Sequence, residues 1–295
     1  MTPLKRAKKI EKLIGVSNLF FKLEGKNKSG TFKSRAADIL VKDAIKRDSC
    51  GITIGTCGNF GLAIIKSSPS NFLCEIFVPQ QYENTNLVEK ISKTKNIKLH
   101  FIKGTYEDAV EKSISFSQKT DFYNANPQNR SARLSIIANS DIAKEIHFQL
   151  KNNPRSIWIS VGNGTGISGL YLGFKKYTNL PKICAVSSQG NNAITQSIFE
   201  GSIMELDPKE LKETPINEPL LDWRSYQIKE AFNAVIQTNG FGVEVSDNEM
   251  LQAQEILSKY EDIRTIPASA AAFAGFLKYY KKFRLSDNNV IVLTA

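Results

Sequence analysis

Lys33 is the residue with the clearest potential for chemistry, and it stands in the segment KSGTFKSR at positions 28–35. Apolar Phe32 is adjacent, and the periodicity of the following residues predicts that a helix starts here. The helix dipole and desolvation at such a position both disfavour an ammonium ion and favour the neutral amine, which can form a Schiff base. Considered alone, the residue could equally be an ordinary surface lysine.

A second motif is the glycine loop GNGTG at positions 162–166, between a strand predicted at 157–161 and a helix predicted to begin near Ile167. Glycines let backbone N–H groups approach an anion, and the helix N-terminus adds a favourable dipole. No Asp or Glu occurs between Glu145 and Glu200, so no carboxylate close in sequence opposes a negative ligand. The loop predicts a phosphate site, and a tight turn without a ligand is the alternative.

The same loop satisfies the dinucleotide-binding pattern G-x-G-x-x-G through Gly164, Gly166 and Gly169. That class of site needs an Asp or Glu about 20 residues further on, at the end of the next strand, to hold a ribose. The next predicted strand ends in Val186-Ser187-Ser188, within the stretch that lacks carboxylates. The sequence therefore favours a phosphate site over a dinucleotide site.

The third motif is a glycine-flanked turn between a strand predicted at 52–54 and a helix predicted at 62–66. The turn reads Thr56-Cys57-Gly58-Asn59-Phe60-Gly61. Because it opens a helix, its N–H groups could bind a carboxylate. Asn59 could alternatively serve only as a left-handed turn residue.

Short apolar runs alternate with helical periodicity along the chain, which predicts an α/β fold with parallel sheets. The capping box Ser246-Asp247-Asn248-Glu249 predicts the start of a helix over 250–260. The predicted strands cover 52–54, 75–78, 99–102, 157–159, 182–186 and 290–293, and the predicted helices include 34–46, 106–119, 132–150 and 169–176.

Composition limits the class of protein. A length of 295 residues predicts about two domains, and no apolar run approaches the roughly 20 residues that a membrane span needs. The basic N-terminus has no apolar stretch behind it that would make a signal peptide, so we expect a cytoplasmic protein. The four cysteines form no C-x-x-C pair and there are only two histidines, which argues against a zinc site or a disulfide framework.

The net charge of +10 comes mainly from lysines dispersed over helix-like segments such as 5–12. They are not interleaved with aromatic residues as in proteins that bind single-stranded nucleic acid. We therefore predict solvated basic faces and no nucleic-acid partner.

The motifs occur in the order lysine, asparagine turn, glycine loop and terminal hydroxyl, the last being Thr294 in Val292-Leu293-Thr294. In this order the chain resembles the fold-type II pyridoxal-phosphate (PLP) enzymes, and in detail it is similar to threonine synthase. Asn126-Pro127, the segment 245–257 and Pro267-Ala268-Ser269-Ala270-Ala271 are similar to further landmarks of that family, so the likeness covers nearly the whole chain.

The resemblance implies a role for each motif. Lys33 would hold PLP as a Schiff base and, once displaced by the substrate amine, act as general base at Cα. Asn59 would contact the 3-hydroxyl oxygen of the cofactor, and Thr294 would face its pyridine nitrogen. The cofactor phosphate would bind the glycine loop, formed by Gly162, Asn163, Gly164, Thr165 and Gly166.

The resemblance also implies that the asparagine turn and a second segment bind the substrate. The residues concerned are Thr56, Cys57, Gly58 and Phe60 in the turn, and Asn126 and Arg130 in the segment NPQNR.

The departures from threonine synthase lie on the substrate side. Phe60 stands where that family carries threonine, and Gly166 stands where it carries asparagine; both family residues help to hold the phosphate of phosphohomoserine. The basic residue after Asn126-Pro127 is displaced by one position, to Arg130, and Ile266 replaces a glutamate. Neither Phe60 nor Gly166 can donate a side-chain hydrogen bond, a loss on the order of several kcal/mol for a substrate phosphate.

The function implied is that of a PLP-dependent lyase similar to threonine synthase, which converts O-phosphohomoserine to threonine and phosphate. One alternative is β-elimination or β-replacement of the serine/threonine dehydratase or cysteine synthase kind. A catalytically inactive binding protein with the PLP fold is the second alternative.

The expected architecture is two open-sheet α/β domains with the active site in the cleft between them. Residues 1–35 and 128–295 would form the larger, PLP-binding domain and residues 36–127 a smaller mobile domain. The expected partners are a small amino-acid substrate and a second copy of the chain, with no membrane.

Overall fold

A computed structural model describes residues 1–92, 94, 96–283 and 288–295. They divide into two compact units, one of Met1–Lys26 with Asn139–Ala295 and one of Asn27–Ala138. Each unit contains one sheet, so the predicted α/β class with two open sheets is confirmed. None of the described helices is both long and apolar enough to cross a lipid bilayer.

The strands of the described residues are short and mostly buried. In chain order they are β1 (Leu4–Arg6), β2 (Leu19–Leu23), β3 (Gly51–Gly55), β4 (Leu73–Pro79), β5 (Ile97–Ile102), β6 (Phe122–Asn124), β7 (Ser156–Ser160), β8 (Lys182–Ser188), β9 (Gly242–Val245) and β10 (Asn289–Leu293).

Helices connect most of these strands. They are α1 (Lys8–Ile14), α2 (Lys33–Lys46), α3 (Asn59–Ser67), α4 (Asn86–Ser92), α5 (Tyr106–Gln118), α6 (Asn129–Leu150), α7 (Thr165–Phe174), α8 (Ala193–Glu200), α9 (Ile228–Ile236), α10 (Asp247–Glu261) and α11 (Pro267–Phe283).

The larger unit has a six-stranded sheet in the order β1-β2-β10-β7-β8-β9. Neighbouring strands in this sheet are parallel, except for β1 and β2, which are antiparallel. Alternate residues of β10 contact opposite cores: Ile291 packs with α1, α10 and α11, whereas Val290 packs with α6, α7 and α9. This period of two is what a sheet covered by helices on both faces requires.

The smaller unit has a four-stranded parallel sheet in the order β5-β4-β3-β6. Its core combines the strand residues Ile52, Ile54 and Ile76 with Leu40 of α2 and Ile64 of α3. These contacts fix both helices, which begin at Lys33 and Asn59, on one sheet.

The sequence predictions located six of the described strands, namely β3, β4, β5, β7, β8 and β10. Four were missed, the short strands β1, β6 and β9 and the five-residue β2. The prediction that segment 5–12 is helical is wrong in part, because β1 runs to Arg6 and α1 begins only at Lys8. Residues 4–6 are extended because they pair with β2, and this pairing cannot be predicted from the local periodicity of the sequence.

Candidate active site

Lys33 is the first residue of α2, as the sequence predicted. The loop before it is held by three buried hydroxyls, those of Ser29, Thr31 and Ser34. Ser34 Oγ donates to Ser29 Oγ at 2.6 Å and accepts from the Ser29 N–H at 3.0 Å, while the Lys33 N–H donates to Thr31 Oγ1 at 3.3 Å. These bonds fix the backbone that carries the lysine.

A second set of contacts joins the start of α2 to the end of α3. Lys28 forms an ion pair with Asp38 at 2.5 Å, and Ser67 Oγ donates to the same carboxylate at 2.7 Å. The Lys66 ammonium donates to the carbonyl of Lys28 at 3.3 Å. The helices that begin at Lys33 and Asn59 are thus connected at this point.

The asparagine turn follows β3, and α3 begins at Asn59, three residues before the predicted start at 62. Thr56 is buried, and its hydroxyl accepts the Gly58 N–H at 3.0 Å. Gly58 has φ of +139°, a backbone conformation that essentially only glycine adopts. Cys57, Asn59 and Phe60 are half-buried in this turn. The turn therefore presents the N-terminus of a nine-residue helix.

Asn126 is fully buried and holds the carboxyl end of β3. Its Oδ1 accepts the Gly55 N–H at 2.9 Å, and its Nδ2 donates to Ser113 Oγ at 2.9 Å and to Asn124 Oδ1 at 2.7 Å. These bonds give the amide a structural role, and its predicted contact with substrate stays a prediction.

Arg130 is bound to the buried carboxylate of Asp43 by two hydrogen bonds. The Tyr123 hydroxyl donates to Asp43 at 2.9 Å and Arg47 lies 3.3 Å away. The hydrogen bond from Arg130 is the main reason that the pKa of Asp43 lies well below its ordinary value, and the same bond raises the pKa of Arg130. Burial, above all, raises the pKa of the Tyr123 hydroxyl. A substrate role for Arg130 also stays a prediction.

The glycine loop leads from β7 into α7, which begins at Thr165, two residues before the predicted start. Gly164 adopts φ of +84°, in the left-handed region that favours glycine. Asn163 Oδ1 accepts from both the N–H and the hydroxyl of Thr165, at 3.3 and 3.1 Å. The first bond of the helix runs from the Ser168 N–H to the Gly164 carbonyl, so the N–H groups of residues 165–167 precede the helical hydrogen-bond ladder.

Polar side chains that the sequence analysis did not single out support this loop from behind. Asn192 Nδ2 donates to the carbonyls of Gly162 at 3.0 Å and Leu220 at 2.9 Å, and Ser225 Oγ donates to the Asn163 carbonyl at 2.8 Å. The local signal for Asn192 was its position before an apolar helix, because its Oδ1 also caps α8. Ser225 had no comparable signal.

Thr294 follows β10, which lies beside β7 in parallel register, with Val292 opposite Ile159. Thr294 and the glycine loop therefore both follow strand ends at the carboxyl edge of this sheet. Ser269, fully buried, accepts the Ala295 N–H at 3.2 Å and thereby holds the backbone next to Thr294. The structure thus places the terminal hydroxyl and the glycine loop on one edge of this sheet.

A family model described as "Pyridoxal-phosphate dependent enzyme" matches residues 1–295. The chain belongs to this family. The family predicted from the order of the motifs is confirmed, and so is PLP as the cofactor.

Known relatives of this PLP-dependent enzyme include threonine synthases. The Methanocaldococcus jannaschii threonine synthase is 26% identical and is matched over 100% of this chain and 73% of its own length. A Bacillus threonine synthase is 28% identical over 100% of this chain and 82% of its own length. Among solved structures, threonine deaminase isoform 2 of Solanum lycopersicum superposes with a TM-score of 0.84 at 21% identity, over 100% of this chain and 78% of its own.

The glycine loop fits the phosphate of PLP. A Cβ atom at Gly162 would lie 2.8 Å from the Pro219 carbonyl oxygen, so a side chain is excluded at this position of the loop. The N–H groups of Gly166 and Ile167, which precede the hydrogen-bond ladder of α7, are donors of the kind that bind phosphate, whereas the Thr165 N–H and hydroxyl donate to Asn163 Oδ1. This PLP-dependent enzyme therefore has, in its larger unit, a donor set suited to the cofactor phosphate.

Proposed function

We propose that this PLP-dependent lyase releases phosphate from a phosphorylated amino acid, in the manner of threonine synthase acting on O-phosphohomoserine. The observation that supports it most is Lys33 at the first position of α2, in a chain matched over its whole length by threonine synthases. When bound, PLP supplies an electron sink for bonds at the substrate Cα.

Lys33 is the catalytic residue of the proposal. Its amine would hold PLP covalently and, once free, would take and return the proton at the substrate Cα. The buried hydroxyls of Ser29, Thr31 and Ser34 orient the backbone of Lys33 and limit where that amine can reach.

The remaining motif residues would hold the cofactor. Gly162, Asn163, Gly164, Thr165 and Gly166 would bind its phosphate, and Asn59 its 3-hydroxyl oxygen. The Thr294 hydroxyl would be the partner of the pyridine nitrogen, and this hydroxyl carries no negative charge. A neutral partner stabilises a protonated ring poorly, which favours elimination or replacement over transamination.

The asparagine turn would hold the substrate carboxylate. Its residues Thr56, Cys57, Gly58 and Phe60 precede or begin α3, whose first N–H groups attract an anion. Asn126 would help to bind the substrate indirectly, because it holds the end of β3 from which the asparagine turn starts. Arg130 would contribute from the same segment as Asn126, four residues further along the chain.

A second candidate function is elimination or replacement with a leaving group other than phosphate. Phe60 and Gly166 favour it, because neither has a side-chain donor for a substrate phosphate. Arg130, whose guanidinium binds Asp43, has fewer donors left for that phosphate. Serine, threonine or an activated serine is the substrate class of this candidate.

The proposal also includes a larger PLP-binding domain of residues 1–35 and 128–295, a smaller domain of residues 36–127, and a cytoplasmic homodimer. The resemblance to fold-type II enzymes is the support for these points. The compact units divide instead after Lys26 and Ala138, which puts Lys33 in the smaller unit. Light scattering coupled to size-exclusion chromatography tests the dimer, and a monomer at working concentration contradicts it.

The deciding experiment combines an absorption spectrum with a turnover assay. Purified protein with PLP should show the visible band of lysine-bound cofactor, and Lys33→Ala should lack it while Lys42→Ala, an exposed lysine on the same helix, keeps it. Phosphate release from O-phosphohomoserine supports the first function. Ammonia or pyruvate release from serine, without phosphate release, supports the second. A band without turnover of any amino acid indicates a binding protein.

A further inference from the structure

A cavity lies in the larger unit, at the opposite edge of the sheet from the glycine loop. It has a volume of about 670 Å³ and is formed at the amino ends of β7, β8 and β10. Strands of five to seven residues separate the two edges by roughly 15–20 Å, at about 3.3 Å per residue. The PLP chemistry proposed above uses none of the residues around this cavity.

One wall of the cavity is aromatic. The rings of Phe241 and Tyr279 are stacked, with centroids 4.1 Å apart and planes at 21°. Trp158 meets Phe241 edge to face at 5.4 Å, and its Nε1 is fixed by a 2.8 Å bond to Ser156 Oγ. The partly exposed rings of Phe241 and Tyr279, held rigid by these contacts, offer a flat apolar surface to a planar ligand.

The rim of the cavity is cationic. Arg155 and Lys182 are exposed, and their backbones are joined by the bond from the Lys182 N–H to the Arg155 carbonyl at 2.9 Å. Neither forms an ion pair within the described part of the chain, and no Asp or Glu is among the described residues that line the cavity. Two cations without a compensating carboxylate attract an anionic group.

The cavity of the smaller unit differs in this respect. It has a volume of about 570 Å³, and Asp48 and Asp121 contribute to its lining. Its arginines, Arg47 and Arg130, already contact Asp43. The cations of that cavity are therefore largely neutralised by carboxylates.

We propose that the cavity at the amino ends of β7, β8 and β10 binds a small planar aromatic compound that carries a phosphate or carboxylate. The ring packs on Phe241 and Tyr279, and the anionic group binds Arg155 and Lys182. The volume is within the range of about 300–1,000 Å³ that is usual for small-molecule sites. The inference does not depend on the substrate of the lyase.

The test is calorimetric titration of the protein loaded with one equivalent of PLP and freed of excess cofactor. Naphthyl phosphate and naphthoate distinguish the two anionic groups, while naphthol and inorganic phosphate provide the ring and the anion alone. At least one naphthyl anion should bind about tenfold or more tightly than either control. Arg155→Gln and Lys182→Gln should each weaken that binding by about tenfold, the loss expected for one charge-assisted contact.

Matched variants make the outcome decisive. Lys176→Gln, an exposed lysine away from the cavity lining, should leave binding unchanged. Tyr279→Leu should weaken the naphthyl anions and leave phosphate unaffected; if that variant unfolds, Lys182→Gln decides. No binding of either naphthyl anion, or binding that Arg155→Gln and Lys182→Gln do not weaken, overturns the proposal.

Discussion

Arg130 binds Asp43 through two parallel hydrogen bonds of 2.7 Å, one from Nε to Oδ2 and one from Nη2 to Oδ1. The pair joins the first turn of α6 to the last turn of α2, the helix that begins at Lys33. A bidentate pair of this kind is geometrically specific, and the Tyr123 hydroxyl adds a third donor to the same carboxylate. The helix that carries the proposed catalytic lysine is thus held at its far end by a residue that sequence similarity assigns to the substrate.

Asp43→Asn should destabilise the protein by about 1–2 kcal/mol at pH 7, a figure kept low because the Arg130 side chain is half exposed. The pKa of Asp43 is lowered, so its contribution is complete above the ordinary Asp pKa of about 3.9 and is lost as the pH falls below it. Urea unfolding at pH 7 and near pH 3 measures the change. The difference from wild type should shrink at the lower pH, and Asp141→Asn, an exposed control, should show little effect at either.

Gly164→Ala should destabilise the protein by about 2–3 kcal/mol and weaken PLP binding. The alanine would have to adopt the φ of +84° that glycine has here, which is unfavourable for a residue with a side chain. Its Cβ would also lie 2.8 Å from Ala231 Cβ and 2.9 Å from Ile194 Cδ1, closer than normal contacts. Gly190→Ala is the matched control, because φ there is +70° but no atom lies within 4 Å of the added Cβ. Thermal melting and PLP titration measure both variants, and equal losses in the two would contradict a special role for close packing at the loop.

Asn192→Ala should lower the affinity for PLP although the residue belongs to none of the motifs. Its amide holds the Gly162 carbonyl and caps α8, and loss of the cap alone costs about 1 kcal/mol. We expect total destabilisation of about 2–3 kcal/mol, because buried carbonyls lose their donor. The PLP affinity is measured by titration followed by absorbance, and Asn248→Ala, which changes an exposed asparagine, is the control. Unchanged PLP affinity in Asn192→Ala would show that the loop does not need this support.

Lys22→Met should destabilise the protein by about 3–5 kcal/mol, because it removes a fully buried ammonium from the partly buried carboxylate of Glu145. The Lys22 side chain is fully buried, and its ammonium donates to Glu145 at 2.6 Å, to the Thr2 carbonyl at 2.8 Å and to Gln149 at 2.9 Å. Lys144→Met removes an exposed ion pair with Asp141 and should change the free energy of unfolding by under about 1 kcal/mol. Comparable losses in the two variants would contradict this account.

Sequence alone predicted six of the described strands, the helix start at Lys33 and the glycine loop between β7 and α7. Those features depend on residues close together in the chain, such as the five residues of the loop. It did not find Ser225, which bonds to Asn163 across 62 positions, nor the Arg130–Asp43 pair across 87. Such contacts exist only once the sheets have formed, so periodicity and motif spacing do not report them.

The order of strands in the larger unit has a consequence for synthesis on the ribosome. β10 is made after every other strand of the described residues, yet it lies between β2 and β7, and β2 belongs to the first 26 residues. At about 5–20 residues per second, β2 must wait on the order of tens of seconds for its central neighbour. The unit of 27–138 is continuous in the chain and can fold while the remainder is still being translated. Nascent chains that stall late should therefore contain one folded unit and an apolar β2 open to chaperones.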